Sequence, residues 1–216
     1  MTDTITQTLE YVKHKLAGES SGHDWWHIYR VHNLAKYLAK HEGGDTLVIE
    51  LAALLHDISD YKLNGGDDTL GPILAKEFLL SIGVDTITAE HVADIIYNMS
   101  FKGALVTDKM QTLEGQIVQD ADRLDAIGAI GIGRTFAYGG HKGRIMYDPT
   151  IEPTLHSSFA EYKNANSGTI NHFYEKLLLL KDRLNTPTAK QLATRRHQVM
   201  EDFLTEFFHE WHLQEA

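Results

Sequence analysis

Apolar residues recur every three or four positions through almost all of the 216 residues, and only four prolines, Pro72, Pro149, Pro153 and Pro187, interrupt the pattern. A 3.6-residue period on this scale confines a chain to amphipathic helices, whose apolar stripes must cover one another. Frequent Leu, Ala, Lys and Glu agree with that, because these side chains lose little freedom in a helix. No strand pair, internal repeat or low-complexity linker is visible. The expected fold class is all-α, with residues 1–216 forming one helical domain.

The period predicts a helix over about 6–16, broken by the glycines at 18–22, and a second over about 24–42 with Ile28, Val31, Leu34, Ala35 and Leu38 along one stripe. Gly43 and Gly44 end it, and Asp45 is placed to cap the next, about 46–58, which is apolar on most sides and reads as a central buried helix. A polar loop at 64–68 precedes helices over about 70–82, with Pro72 in the first turn, and about 85–98. One long or broken helix is expected over about 113–138, followed by a glycine-rich segment at 139–143 and an extended connection marked by Asp148-Pro149 and Glu152-Pro153. Two helices over about 168–184 and 188–212 close the chain.

Composition narrows the function. The net charge is −10 and the isoelectric point about 5.7, which argues against a nucleic-acid polymer as partner. Cysteine is absent, so neither a disulfide framework nor a thiolate metal site is available, as suits a reducing cytoplasm. The N-terminal residues lack the basic and apolar regions of a signal peptide, and the longest apolar runs are too short to cross a bilayer. The expected setting is cytoplasmic and away from membranes.

Against this background His56-Asp57 stands at the end of the apolar run Leu51-Ala52-Ala53-Leu54-Leu55. An ionised carboxylate beside such a run is costly unless a cation or strong hydrogen bonds compensate. Taken alone, the doublet reads equally as a polar pair at a helix end. His27 lies on the apolar stripe one turn before Val31, where a hydrogen-bonded core histidine is the simpler reading. Asp122 and Asp125 share a helical face, with Asp120 turned away; apolar Ile117, Val118, Leu124 and Ile127 favour a partly buried cluster over a solvated face.

The ordered set His27, His56-Asp57 and Asp122 resembles the H…HD…D pattern of the HD-domain phosphohydrolase superfamily. More closely, Gly22-His23-Asp24-Trp25-Trp26-His27, Leu54-Leu55-His56-Asp57-Ile58, the stretch from Gln119 through Ala121-Asp122-Arg123-Leu124-Asp125 to Gly128, and His172-Phe173-Tyr174-Glu175-Lys176-Leu177 resemble its bacterial YpgQ/YedJ-like branch. The resemblance covers about residues 20–184. It implies a single HD-domain helical bundle, with a metal-binding core at about 20–138 and C-terminal helices at about 168–212 packed on it. It also implies His27, His56, Asp57 and Asp122 as ligands of a divalent ion. A mixed imidazole–carboxylate set suits Mn, Ni, Fe, Co or Zn, with Mg also admitted, and Ca least.

The implied reaction is hydrolysis of a nucleotide phosphate, and the branch points to pyrophosphohydrolysis of a nucleoside triphosphate. Asp57 and Asp125 are candidate catalytic carboxylates; Asp125 could orient water or a ligand histidine, or instead pair with Arg123 or another cation. His23 and Asp24 are candidates for a catalytic role or for capping the His27 helix. Lys62, Arg134, His141, Lys142 and Lys176 are candidate phosphate-binding residues, with Arg144 in the same cationic segment and His172 on the face of Lys176. Each could equally be an ordinary surface residue. A small phosphate substrate is the expected partner, and a homodimer is left open. The rivals are a di-iron oxygenase drawing on His91, and a non-catalytic nucleotide sensor.

Overall fold

The computed structural model describes residues 3–18, 24–59, 69–99, 101, 103–106, 110–155, 157–158, 161 and 167–213. Among these every regular element is helical, and the all-α class is what the structure shows. The polar loop expected at 64–68, and the candidates His23 and Lys62, lie outside the described residues.

Seven helices run from α1 to α7: Thr4–Lys15, Trp25–Glu42, Thr46–Leu55, Leu70–Ser81, Thr86–Asn98, Leu113–Asp125 and Gly128–His141. A short helix α8, Asn171–Glu175, a 3-10 segment Leu177–Arg183 and a long helix α9, Pro187–Trp211, complete the order. Helix starts follow local chemistry. Asp24, Asp45, Asp85 and Thr186 each accept a backbone N–H from the first turn of the helix that follows. Gly43 ends α2 with φ +87° and Gly44 follows at +89°, a left-handed pair that a side chain would strain.

Contacts divide the chain into two compact units, Met1–Lys102 with Thr107–Asp122, and Gly103–Val106 with Arg123–Ala216. In the first, α3 is the axis: it packs against α1, α2 and α5, and α4 packs on α5. Leu51 through Leu55 are fully buried, as expected of a helix apolar on most sides. Each buried leucine contributes roughly 1.5–3 kcal/mol, against at most about 1 kcal/mol for a surface ion pair such as Lys76–Glu90. Polar ties then set register: Glu114 of α6 accepts the N–H of Asp45 at 2.9 Å, and His32 of α2 meets Glu50 of α3 at 2.8 Å.

In the second unit α9 packs on α7 and on the 3-10 segment. Phe136, Phe173 and Phe203 gather their rings, and Tyr147 of the extended connection packs edge-on to Phe207, Phe208 and Trp211. Asn171 donates to the Ile151 carbonyl. The buried Glu175 carboxylate accepts from the Thr154 N–H at 3.1 Å and from the Ser167 hydroxyl at 2.7 Å.

Three boundaries differ from expectation. Helix α3 stops at Leu55 and not at 58, so His56 is its cap and Asp57 lies in the turn beyond. Of the long or broken helix expected over 113–138 the structure shows the broken form, interrupted at Ala126-Ile127, and α7 restarts at Gly128, φ +77°. It then continues through Gly139 and Gly140 to His141, where a loop was expected. Gly139 is there for close packing: a Cβ would stand 2.4 Å from the Thr169 hydroxyl. Finally, the helix expected over 168–184 is two pieces. Lys176 leaves helical geometry at φ −143°, ψ −59°, and buried Leu177 and Leu180 follow the three-residue period of a 3-10 turn.

Burial holds the His32 imidazole below its ordinary value, outweighing the Glu50 carboxylate that pulls the other way. The unfolded chain therefore takes up more protons as pH falls through about 6.5, and this part of the stability, complete above that value, is lost on acidification. Between pH 7.5 and 5.5 the urea midpoint of the wild type should fall more steeply than that of His32→Gln; equal slopes would refute the assignment.

Candidate metal centre

Asp24 starts the centre. As N-cap of α2 its Oδ1 accepts the His27 N–H at 2.9 Å, which places His27 in the first turn with its side chain fully buried. At the end of α3 the His56 Nδ1 donates to the Ala53 carbonyl at 2.9 Å. That bond assigns the tautomer and leaves the His56 Nε2 lone pair facing away from the helix. Asp57 follows in the turn beyond α3, and its Oδ2 faces the same point.

The donor atoms converge. His27 Nε2 is 3.1 Å from His56 Nε2, 3.3 Å from Asp57 Oδ2 and 3.5 Å from Asp122 Oδ1. His56 Nε2 is 3.7 Å from Asp57 Oδ2 and 3.9 Å from Asp122 Oδ1. Atoms about 2.1 Å from a shared ion lie about 3.0 Å apart at right angles and about 3.4 Å apart at the tetrahedral angle. The spacings among His27, His56 and Asp57 therefore fit a divalent cation, the longest corresponding to a wider angle. His27, His56 and Asp57 are the tight part, with all three donor atoms within 4.8 Å of one another. Asp122 joins through the two imidazoles. Side-chain exposure rises from 0% at His27 and 4% at His56 to 15% at Asp57 and 36% at Asp122, so the cluster opens on its aspartate side.

Charge gives the same answer. Two neutral imidazoles and two carboxylates total about −2, which one divalent ion cancels. Without an ion, the His27 Nε2–H can donate to His56 Nε2, and binding a cation displaces that proton.

The remaining candidates fall elsewhere. Asp125, 2% exposed, pairs with Arg134 at 2.9 Å, and Arg123 donates to the Arg183 carbonyl. Both Asp125 and Arg134 belong to the second unit. His141 is the last residue of α7 and Lys142 its cap, both exposed. Lys142 and Arg144 lie 5.6 and 5.8 Å from the centre of the Tyr138 ring. Lys176 stands just past α8, and His172 is inside that helix. His91, the residue a di-iron site would need, faces Thr112 at 3.2 Å and Glu114 at 4.0 Å, and it is not in the converging set. Arg196, on α9 beside Gly128, was not singled out in the sequence; within the solvated-looking Thr194-Arg195-Arg196 nothing distinguishes it.

The model of the HD domain matches residues 25–127. YpgQ of Bacillus subtilis is 41% identical over 202 residues, covering 92% of this chain and 89% of its own. The crystal structure of YpgQ in complex with ADP superposes with a TM-score of 0.72 at 37% identity, over 94% of this chain and 95% of that one. A structure from Lactobacillus plantarum gives 0.87 at 41% identity over 99% of both chains. An HD-superfamily hydrolase from Bacillus thuringiensis gives 0.72 at 48% over 96% of both. With the ordered ligands and the helical frame in place, these likenesses are sufficient: the chain belongs to the HD-domain superfamily of hydrolases, in its YpgQ-like branch.

Proposed function

We propose that the chain is a divalent-metal-dependent phosphohydrolase acting on a nucleotide phosphate, and that its reaction is pyrophosphohydrolysis of a nucleoside triphosphate to the monophosphate and pyrophosphate. The observation that carries the metal dependence is the convergence of His27 Nε2, His56 Nε2, Asp57 Oδ2 and Asp122 Oδ1. The ADP complex of the related YpgQ supports a nucleotide as ligand.

His27, His56, Asp57 and Asp122 are the proposed ligands. A divalent ion there would polarise a phosphoryl oxygen and bring the acidity of water near neutrality. The protein's own groups do the rest. The Asp24 cap holds the His27 backbone, and the Ala53 carbonyl keeps the His56 proton on Nδ1, so neither imidazole must reorient during turnover. Asp57 has a second carboxylate oxygen beyond the one facing the imidazoles, which can accept a proton from attacking water. Lys62 is proposed as a phosphate contact.

A nucleotide panel, run with added metal and read by mass spectrometry, should yield monophosphate and pyrophosphate; orthophosphate as sole inorganic product would replace the reaction proposed. Chelation should abolish turnover and added metal restore it. Asp57→Ala should lower kcat/KM by about 100-fold or more, with unchanged helical circular dichroism because the residue lies outside α3. Retained activity with metal bound would remove Asp57 from the site. Asp122→Ala, altering the most exposed ligand, should recover part of its activity at high metal concentration where Asp57→Ala does not. The reverse order would exchange the ranks of the two carboxylates.

A further inference from the structure

Apart from His27 and His32, every buried residue of α2 and α3 is aliphatic. Aliphatic contact is attractive but not directional, so it holds two helices together more firmly than it fixes one along the other. The Asp24 cap and the end of α3 place each metal-site imidazole on its own helix; neither places α2 against α3. His32 supplies a contact of the directional kind. Its ring is 6% exposed, and its Nε2 lies 2.8 Å from Glu50 Oε2. A hydrogen bond to an ionised acceptor is short, strong and sensitive to distance. Lys36, 3.7 Å from the same oxygen, is half-exposed, and solvent screens its share.

The geometry ties this bond to the metal centre. His32 follows His27 by five residues on α2, and Glu50 precedes His56, the cap of α3, by six. At 1.5 Å per residue these steps are about 7.5 and 9 Å. From His27 to His32 the chain advances along α2, while the partner goes back along α3 from His56 to Glu50. The two helices therefore run antiparallel, and the two contacts are rungs between them at nearly equal spacing. A displacement of α3 along α2 that opened the His32–Glu50 bond would carry His56 Nε2 past His27 Nε2 by the same amount. Metal–ligand bonds tolerate about 0.2 Å, far less than the rise of one residue, about 1.5 Å.

We propose that His32, bonded to Glu50, is a positioning residue of the metal centre: the bond sets the register of α2 on α3, and with it the spacing of the His27 and His56 donors. The role rests on the reading of that site as a metal centre. It goes beyond that reading by assigning ion affinity and coordination geometry to a pair outside the ligand set.

The test uses full-length protein stripped of metal and titrated with cobalt(II), with no substrate present. Calorimetry gives the affinity, and visible absorption at saturation reports coordination geometry independently of affinity. His32→Leu keeps an apolar volume without a donor; it should weaken cobalt binding about tenfold or more and alter the saturated spectrum. His32→Gln returns an N–H to Glu50, and should recover most of the affinity and the wild-type spectrum. Should His32→Leu fail to fold, Glu50→Met removes the acceptor at the more exposed partner and carries the same expectation. Wild-type affinity and spectrum in both His32→Leu and Glu50→Met would overturn the proposal. So would weakened affinity with an unchanged saturated spectrum that His32→Gln does not restore, the pattern of a merely structural residue. A wild type that binds no cobalt would overturn the metal centre and the positioning role together, whereas in the other two results the ion binds and the centre stands.

Discussion

The buried end of α3 is the constraint from which the metal centre follows. With Leu51 through Leu55 fully buried and α3 packed on α1, α2 and α5, this end of the helix cannot shift or rotate without opening the core of its unit, and His56 caps it directly. His27 reaches the same point from α2, where the Asp24 cap sets where the helix begins and hence where a first-turn side chain lies. Two independent pieces of local chemistry, a cap and a stop, bring two imidazoles to 3.1 Å. Donors preorganised in this way meet a cation without first losing conformational freedom.

Legibility followed the range of the forces involved. The starts of α2, α3 and α5 were readable because an Asp side chain and the N–H it accepts are two or three residues apart. The four proposed ligands stand out because their order along the chain matches a known pattern, while the spacing of any one leaves a bland alternative. Helix ends were harder. Nothing local says that α3 stops before His56, or that α7 passes through Gly139 and Gly140, since the latter depends on Thr169 standing thirty residues away. The tract after Lys176 looked helical because a run of leucines satisfies any short period. Burial of Leu177 and Leu180, a tertiary fact, selects the tighter turn.

The aspartates of α6 show the same limit at one residue's scale. Asp122 and Asp125 look alike in sequence, yet one approaches two imidazoles and the other an arginine. Asp125 is open in sequence to pairing with a cation, and it takes Arg134, nine positions on, while the Arg123 side chain donates to the Arg183 carbonyl.

The two hydrogen bonds on Glu175 bear on how this protein can vary. The Thr154 N–H and the Ser167 hydroxyl end on the same buried carboxylate, so the intervening chain leaves and returns at a single anchored point. The entropy of closing such a loop grows only slowly with its length. A change of length between Thr154 and Ser167 would therefore cost little in closure, provided both donors still reach Glu175.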